Sequence, residues 1–471
     1  MTFDDDFTLT IGGKSVSTRA YVPVLNPATE EAFAKAPAAD AGTLDAAVTA
    51  ARAAFPGWRD TALKERRRLL LALADAIEQN SDDFGRLFTR EQGRPIKLAV
   101  REIVTGANWL RSVASQDLPI DLVEDSEARR VEVHHVPLGV VAAIVPWNFP
   151  FLLAIWKIAP ALLTGNTVVL KPSPYTPLCA LKLGELSRQI LPPGVFNVLS
   201  GDDALGPLMS SHKGFAKISF TGSTATGKRV MAAAANDLKR ITLELGGNDA
   251  AIVLADADPE VVADAMFAGA FFNTAQVCIA TKRLYIHNDI YDAVRDRLHA
   301  LAEQAIVGDG SRDDVTHGPV QNLAQFRRVQ SLIADAESTG LTLLRGSRVP
   351  EGAGYFLPLT IVDNPPEDSA VVQEEAFGPI LPLMRFTDVD EVIARANDCD
   401  YGLAGSVWSR DIARALDVAK RMDTGSIWIN QNRQVAAHVP FSGFKQSGFG
   451  VENGRQGLLE FTQTKAIYIP K

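Results

Sequence analysis

Cysteine is scarce in this chain, with only Cys179, Cys278 and Cys399 among 471 residues. A disulfide framework or a thiolate metal cage needs more cysteines at closer spacing, so neither is expected. The seven histidines are scattered, and no Cys-x-x-Cys or His-Glu-x-x-His spacing occurs. A resident metal is therefore not expected. Surplus positive charge is also missing, since the formal net charge is −9. Nucleic-acid binders need a basic surface to displace counterions from phosphates, so a nucleic-acid partner is not expected. Long apolar runs are absent too. The most apolar stretch, 136–170, is interrupted by Pro146, Asn148, Pro150, Lys157 and Pro160, short of the roughly 20 clean residues of a membrane span. The acidic start, Met1-Thr2-Phe3-Asp4-Asp5-Asp6, lacks the positive-then-apolar order of a leader. Together these absences predict a cytoplasmic protein without a membrane partner.

What is present is an ordinary globular balance, 46% hydrophobic and 22% charged, in a chain long enough for two or more domains. The first hundred residues read as short strands followed by helices, with apolar residues at three-to-four spacing over 44–54 and 64–79. From Val140 the pattern becomes βαβ. Strands are predicted at 140–145, 167–170, 196–199, 216–220 and 241–245, and helices at 151–163, 178–191 and 226–234. A second α/β run begins near Ala250, with strands at 251–254, 283–287, 381–386 and 426–430. Asp258-Pro259-Glu260 supplies a cap with proline in the first helical turn. Short alternating units of this kind imply parallel sheets covered by helices.

Several segments carry chemistry. Cys278 follows Leu243-Glu244-Leu245-Gly246-Gly247 by thirty-four residues from Glu244. A lone cysteine is usually a small buried hydrophobe, but a thiol near a carboxylate is also a nucleophile in waiting. Gly222-Ser223-Thr224-Ala225-Thr226-Gly227-Lys228-Arg229 lies between a predicted strand and helix. There the backbone can approach a phosphate, and the helix N-terminus favours negative charge. The segment nearly matches a P-loop, but Arg229 stands where a magnesium-binding hydroxyl belongs; a plain glycine-rich turn is the alternative. Asn148, between Pro146 and Pro150, is either an Asx-type turn or an amide held ready for a developing oxyanion. Lys171-Pro172-Ser173 closes a strand, where a lysine reaches either solvent or a ligand in the crevice.

Taken in order, these segments resemble the aldehyde dehydrogenase superfamily: Pro146-Trp147-Asn148-Phe149-Pro150, Lys171-Pro172-Ser173, Phe220-Thr221-Gly222-Ser223, Leu243-Glu244-Leu245-Gly246-Gly247 with Cys278, and Glu374-Glu375-Ala376-Phe377-Gly378-Pro379. The tail Pro440-Phe441-Ser442-Gly443-Phe444-Lys445 is a partial sixth match. The resemblance implies an α/β fold with a Rossmann-like parallel-sheet cofactor domain (1–118 and 138–246), an α/β catalytic domain (247–446) and a small β oligomerisation element (119–137 and 447–471). It implies a homodimer or homotetramer acting on a small-molecule aldehyde. By resemblance Cys278 is the nucleophile, Asn148 the oxyanion donor, Glu244 the base for the deacylating water, and Glu452 a second, proton-relaying carboxylate. Cofactor ligands would be Trp147, Lys171, Ser173, Gly222, Ser223, Gly227, Leu245, Glu375 and Phe377. The substrate funnel would comprise Phe149, Leu153, Trp156, Phe272, Val277, Ile279, Val435 and Phe441. This lining favours a medium aliphatic or aromatic aldehyde.

Departures from the family pattern matter as well. Pro174 stands where many NAD-selective relatives carry a glutamate on the adenosine ribose, which leaves NAD favoured but NADP open. Asn248 replaces a common lysine, Ala275 and Ser442 common glycines, and Val451 an arginine. If Arg433 or His438 turns into the pocket, a semialdehyde carrying a carboxylate becomes the alternative substrate. A CoA-acylating relative, a P-loop phosphotransferase and a silent structural homologue are the competing readings; Glu244, Arg229 and the intact Cys278–Glu244–Asn148 set oppose them in turn.

Overall fold

The computed structural model describes residues 2–4, 7–346 and 348–471. Five parallel strands form the centre of the first sheet, in the spatial order Phe196–Val198, Thr167–Lys171, Val140–Ile144, Lys217–Thr221, Arg240–Glu244. Val140–Ile144 and Thr167–Lys171 are buried on both faces, which is why they read as continuous apolar runs rather than alternating ones. Helix Pro150–Leu163 is buried almost all round and starts with Pro150 in its first turn, where the missing N–H costs nothing. Leu9–Ile11, itself paired with Lys14–Val16, flanks this centre on one side and Gly448–Phe449 on the other, both antiparallel.

The strand order runs outward from Val140–Ile144 in one direction and then in the other. The neighbouring carboxyl ends of Val140–Ile144 and Lys217–Thr221 therefore frame a crevice at the topological switch point. Pro146-Trp147-Asn148 and Gly222-Ser223 both emerge there.

The second sheet has six parallel strands, Thr360–Asp363, Ile380–Phe386, Arg283–His287, Ala250–Val253, Ala404–Trp408 and Ser426–Ile429, with Thr342–Arg345 antiparallel at one edge. The Asp258 side chain accepts from the N–H groups of Glu260 and Val261 and starts helix Pro259–Phe271, a cap worth about 1 kcal/mol. A third, antiparallel sheet joins Asp121–Asp125, Arg129–Pro137 and Thr462–Pro470.

The predicted βαβ elements are present with ends shifted by a few residues; helix 178–191 stops at Ser187, and helix 226–234 begins at Thr224. Helices Ser81–Gln92 and Ile96–Ala114 and strand Ala404–Trp408 had no counterpart in the sequence reading. Ala404-Gly405-Ser406 has little intrinsic strand preference; pairing on both sides, with Ala250–Val253 and Ser426–Ile429, makes it a strand. Residues 447–461 also differ from their expected place. Gly448–Phe449 joins the first sheet and Glu452 is buried, so the third sheet takes only Thr462–Pro470 from the tail.

Candidate active site

Cys278 sits at the end of an unusual turn. After helix Pro259–Phe271, the residues Asn273, Thr274 and Ala275 take φ values of 52°, 55° and 59°, a left-handed run that side chains adopt only under constraint. The constraint is a set of buried side chains. Gln276 Nε2 donates to the carbonyls of Asn273 and Pro319, and its Oε1 accepts from Gln321 N–H. Asn273 is gripped by Arg94, whose Nε donates to Asn273 Oδ1 at 2.9 Å. Ala275 therefore occupies a left-handed position, which explains why glycine is common there.

Arg94 connects this turn to Asn148. It donates to the Asn148 carbonyl at 2.6 Å and forms a buried ion pair with Glu102. Asn148 Nδ2 donates in turn to the Gln276 carbonyl at 3.0 Å, so the amide expected to hold an oxyanion is anchored to the loop that carries Cys278. Asn148 and Cys278 line one hollow of about 350 Å³ with Trp147, Leu153, Leu245, Glu375 and Phe377.

The Cys278 thiol is pushed up to about 12, chiefly by burial; Lys282 pulls it down, while Asp249, Glu375 and Glu244 push it further up. Lys282 Nζ donates to the Cys278 carbonyl and lies 3.5 Å from Glu375 Oε1. Glu375 also accepts from Gly247 N–H at 3.1 Å. Asn248, in place of the common lysine, instead donates to the Val372 carbonyl.

Glu244 is buried, and neither carboxylate oxygen has a hydrogen-bond partner among the described residues. Burial, then the neighbouring Glu452, raise its pKa well above the carboxylate range, and Lys157 opposes them. Glu452 is not a surface carboxylate. It pairs with Lys157, which also donates to Ser219 Oγ at 3.2 Å. Lys157 was visible in the sequence only as a lone charge interrupting an apolar helix, and Arg94 and Lys282 carried no local signal at all. Each acts through partners remote in sequence.

A larger hollow of about 720 Å³ is lined by Lys171, Ser173, Pro174, Asp203, Gly222, Ser223 and Arg229. The two hollows share Trp147, Gly222 and Ser223, so one groove runs from Lys171 to Cys278. Ser223 caps helix Thr224–Ala235, and Ser223, Thr224 and Ala225 at that helix start line the inner hollow, a setting that suits a pyrophosphate. A Cβ on Gly222 would come within 2.5 Å of the Phe220 ring. Gly227 is not on the groove wall; a Cβ there would meet Leu245 Cδ2 at 2.5 Å, so it serves helix packing. Lys228 turns to Gln446 at 2.7 Å, away from the phosphate position that a P-loop lysine would fill. Trp147 and Phe377 meet edge to face at 5.4 Å across the inner hollow.

The side chains expected to form the substrate funnel are apolar: Leu153 lines the inner hollow with Cys278, and Phe149, Ile279 and Val435 pack against the same core as Cys278. Phe149, Phe272, Ile279 and Val435 are half-buried, with Leu153, Trp156, Val277 and Phe441 buried among them. Phe149 and Phe272 stack at 6.3 Å, and Trp156 packs between Trp109 and Phe441. Arg433 lies over the Phe272 ring at 4.4 Å, whereas His438 is exposed.

Comparison with known proteins agrees with this arrangement. The aldehyde dehydrogenase family model matches residues 14–467. Phenylacetaldehyde dehydrogenase of Pseudomonas fluorescens is 39% identical, over 98% of this chain and 95% of that protein. An NAD+ complex of aldehyde dehydrogenase from Bacillus cereus superposes with TM-score 0.94 at 34% identity, covering 99% of this chain and 97% of that one. An NADP-dependent enzyme of E. coli gives TM-score 0.96 at 35% identity, covering 99% and 98%. The chain belongs to the aldehyde dehydrogenase family, whose members oxidise aldehydes with NAD(P).

Proposed function

We propose that this enzyme oxidises an apolar-bodied aldehyde, of medium aliphatic or aromatic size, to its carboxylate through a covalent Cys278 adduct. The observation that carries the proposal is the single groove linking Lys171 to Cys278, with Phe149, Ile279 and Val435 packed against the same apolar core as Cys278. Cys278 attacks the aldehyde carbon and forms a thiohemiacetal. Asn148 Nδ2, held beside the thiol loop, donates to the developing oxyanion. The bound dinucleotide supplies the hydride acceptor. Loss of hydride leaves a thioester on Cys278, and water activated by Glu244 releases the acid and restores the thiol. The buried Lys157–Glu452 pair takes the proton onward from Glu244. Lys171 and Ser173 would hold the adenosine ribose, Gly222 and Ser223 the pyrophosphate, and Glu375, with Phe377 and Leu245, the nicotinamide ribose.

We favour NAD as the working cofactor. Pro174 leaves no glutamate on the ribose, but the Asp203 carboxylate lines the same hollow and acts electrostatically on Lys171. A 2′-phosphate placed there would meet a like charge. We also propose that the third sheet pairs copies of this chain into a homodimer or homotetramer. Its edge strand Thr462–Pro470 is almost wholly exposed, and Ile120, Leu122, Val123, Ile467, Tyr468 and Ile469 leave apolar surface beside it, an arrangement that calls for a cover. The test of the activity is initial-rate NAD(P)H formation with hexanal, benzaldehyde and phenylacetaldehyde. Absence of turnover by folded protein with every aldehyde and both cofactors would count against it.

A further inference from the structure

We infer that Arg433 is an anion-recognition residue at the outer end of the aldehyde channel, and that the preferred substrate carries a carboxylate at the end remote from its aldehyde. This rests on the dehydrogenase reading above and names the substrate class for it. The apolar wall handles the body of such a molecule; the far end is where the charge is read.

Two arginines on the same aromatic pair differ in their partners. Arg94 lies 4.2 Å from the Phe149 ring and Arg433 4.4 Å from the Phe272 ring, and those rings stack on each other. Arg94 is saturated: Glu102 pairs with it, and Asn273 and the Asn148 carbonyl accept from it. Among the described residues, Arg433 has neither an ion pair nor a hydrogen bond, and its Nε is buried without an acceptor. A buried donor of this kind is costly to leave unmet.

The surrounding charge points the same way. Burial, then Arg101, lower the Arg433 pKa to about 10, so the group remains cationic at neutral pH. Arg101, exposed on helix Ile96–Ala114, is a second cation rather than a counter-charge. The backbone at Arg433 is held in the left-handed region, φ 51°. Flanking contacts hold it there: Asn432 Nδ2 donates to the Ala265 carbonyl and Trp428 Nε1 to the Gln434 carbonyl, both at 2.8 Å. The backbone that carries Arg433 is thus held on both sides, and its guanidinium rests on the Phe272 ring. Two residues on, Val435 packs against the same core as Cys278 and Phe149. A planar fork suits a carboxylate, which takes two parallel N–H bonds.

The experiment compares adipic semialdehyde with its methyl ester, which differ in the terminal charge, in wild type, Arg433→Gln and Arg433→Lys. The expected kcat/KM ratio favours the free acid by about tenfold or more in wild type, the scale of one charge-assisted bond. Arg433→Gln lowers that ratio about tenfold through KM, and Arg433→Lys restores part of it. Thermal protection by adipate, read without turnover, falls in Arg433→Gln. If the ester is oxidised but the ratio is near one in wild type, or is unmoved by Arg433→Gln, the inference falls and the dehydrogenase stands. If neither aldehyde is oxidised while adipate protects wild type more than Arg433→Gln, the anion site stands and the dehydrogenase reading falls. With neither turnover nor Arg433-dependent protection, both fall.

Discussion

Lys157 and Glu452 form an ion pair with side-chain exposures of 0% and 2%, and both act electrostatically on Glu244, whose carboxyl has no hydrogen-bond partner among the described residues. A buried pair is retained at a large desolvation cost, and here it sets the charge felt by the base. The sign of each change follows. Lys157 holds the Glu244 pKa down, and Glu452 holds it up. Glu244 must be ionised to activate water, so activity declines as pH falls through its pKa. Lys157→Met moves the acid limb of the kcat profile to higher pH, and Glu452→Gln moves it to lower pH. Shifts in the same direction would refute the relay.

Cys278→Ala lowers turnover by at least about a thousandfold, because the covalent route disappears with the thiol. Mass spectrometry of wild type quenched during turnover shows an acyl adduct on the Cys278 peptide. Turnover surviving in the alanine variant would return the chain to the silent or non-covalent readings.

Asp203→Ser raises the kcat/KM preference for NADP over NAD by about tenfold, the equivalent of about 1.4 kcal/mol of removed repulsion. The change is read in KM for the dinucleotide. An unmoved ratio would mean that the 2′ position lies away from Asp203.

Arg94→Met destabilises the fold by about 3–5 kcal/mol in denaturant melts, because Glu102 is left as an unpaired buried charge. Arg94→Met with Glu102→Leu, which replaces the buried pair with apolar groups, recovers part of that loss.

Ala275→Gly stabilises by about 0.5–1 kcal/mol in the same assay. Release of left-handed strain, about 1–2 kcal/mol, outweighs the added backbone freedom of the unfolded chain. Destabilisation by this change would show that the alanine methyl packs more favourably than its backbone costs.

The legible part of the molecule was the part written locally. Buried parallel strands need unbroken apolar runs, so Val140–Ile144 and Thr167–Lys171 announced themselves. A glycine at a strand–helix junction stands out in sequence, so Gly222-Ser223 did too. The family motifs put Cys278, Glu244, Asn148 and Glu452 forward as candidates. Gly227 was misplaced, because a glycine beside a phosphate loop and a glycine packed under a helix look alike in sequence.

The sequence by itself determined the class of fold, the family and the residue types of the site, since these depend on periodicity and on short contiguous motifs. Only the tertiary structure decided which charges meet. Lys157 finds Glu452 across 295 residues and Arg94 finds Asn273 across 179. It also decided that Arg433 lies on Phe272 with its Nε unmet, turning an open question about the substrate's tail into a specific one. The physical reason is the range of the interactions: backbone preference acts between neighbours, whereas desolvation and ion pairing depend on what the completed core excludes from water.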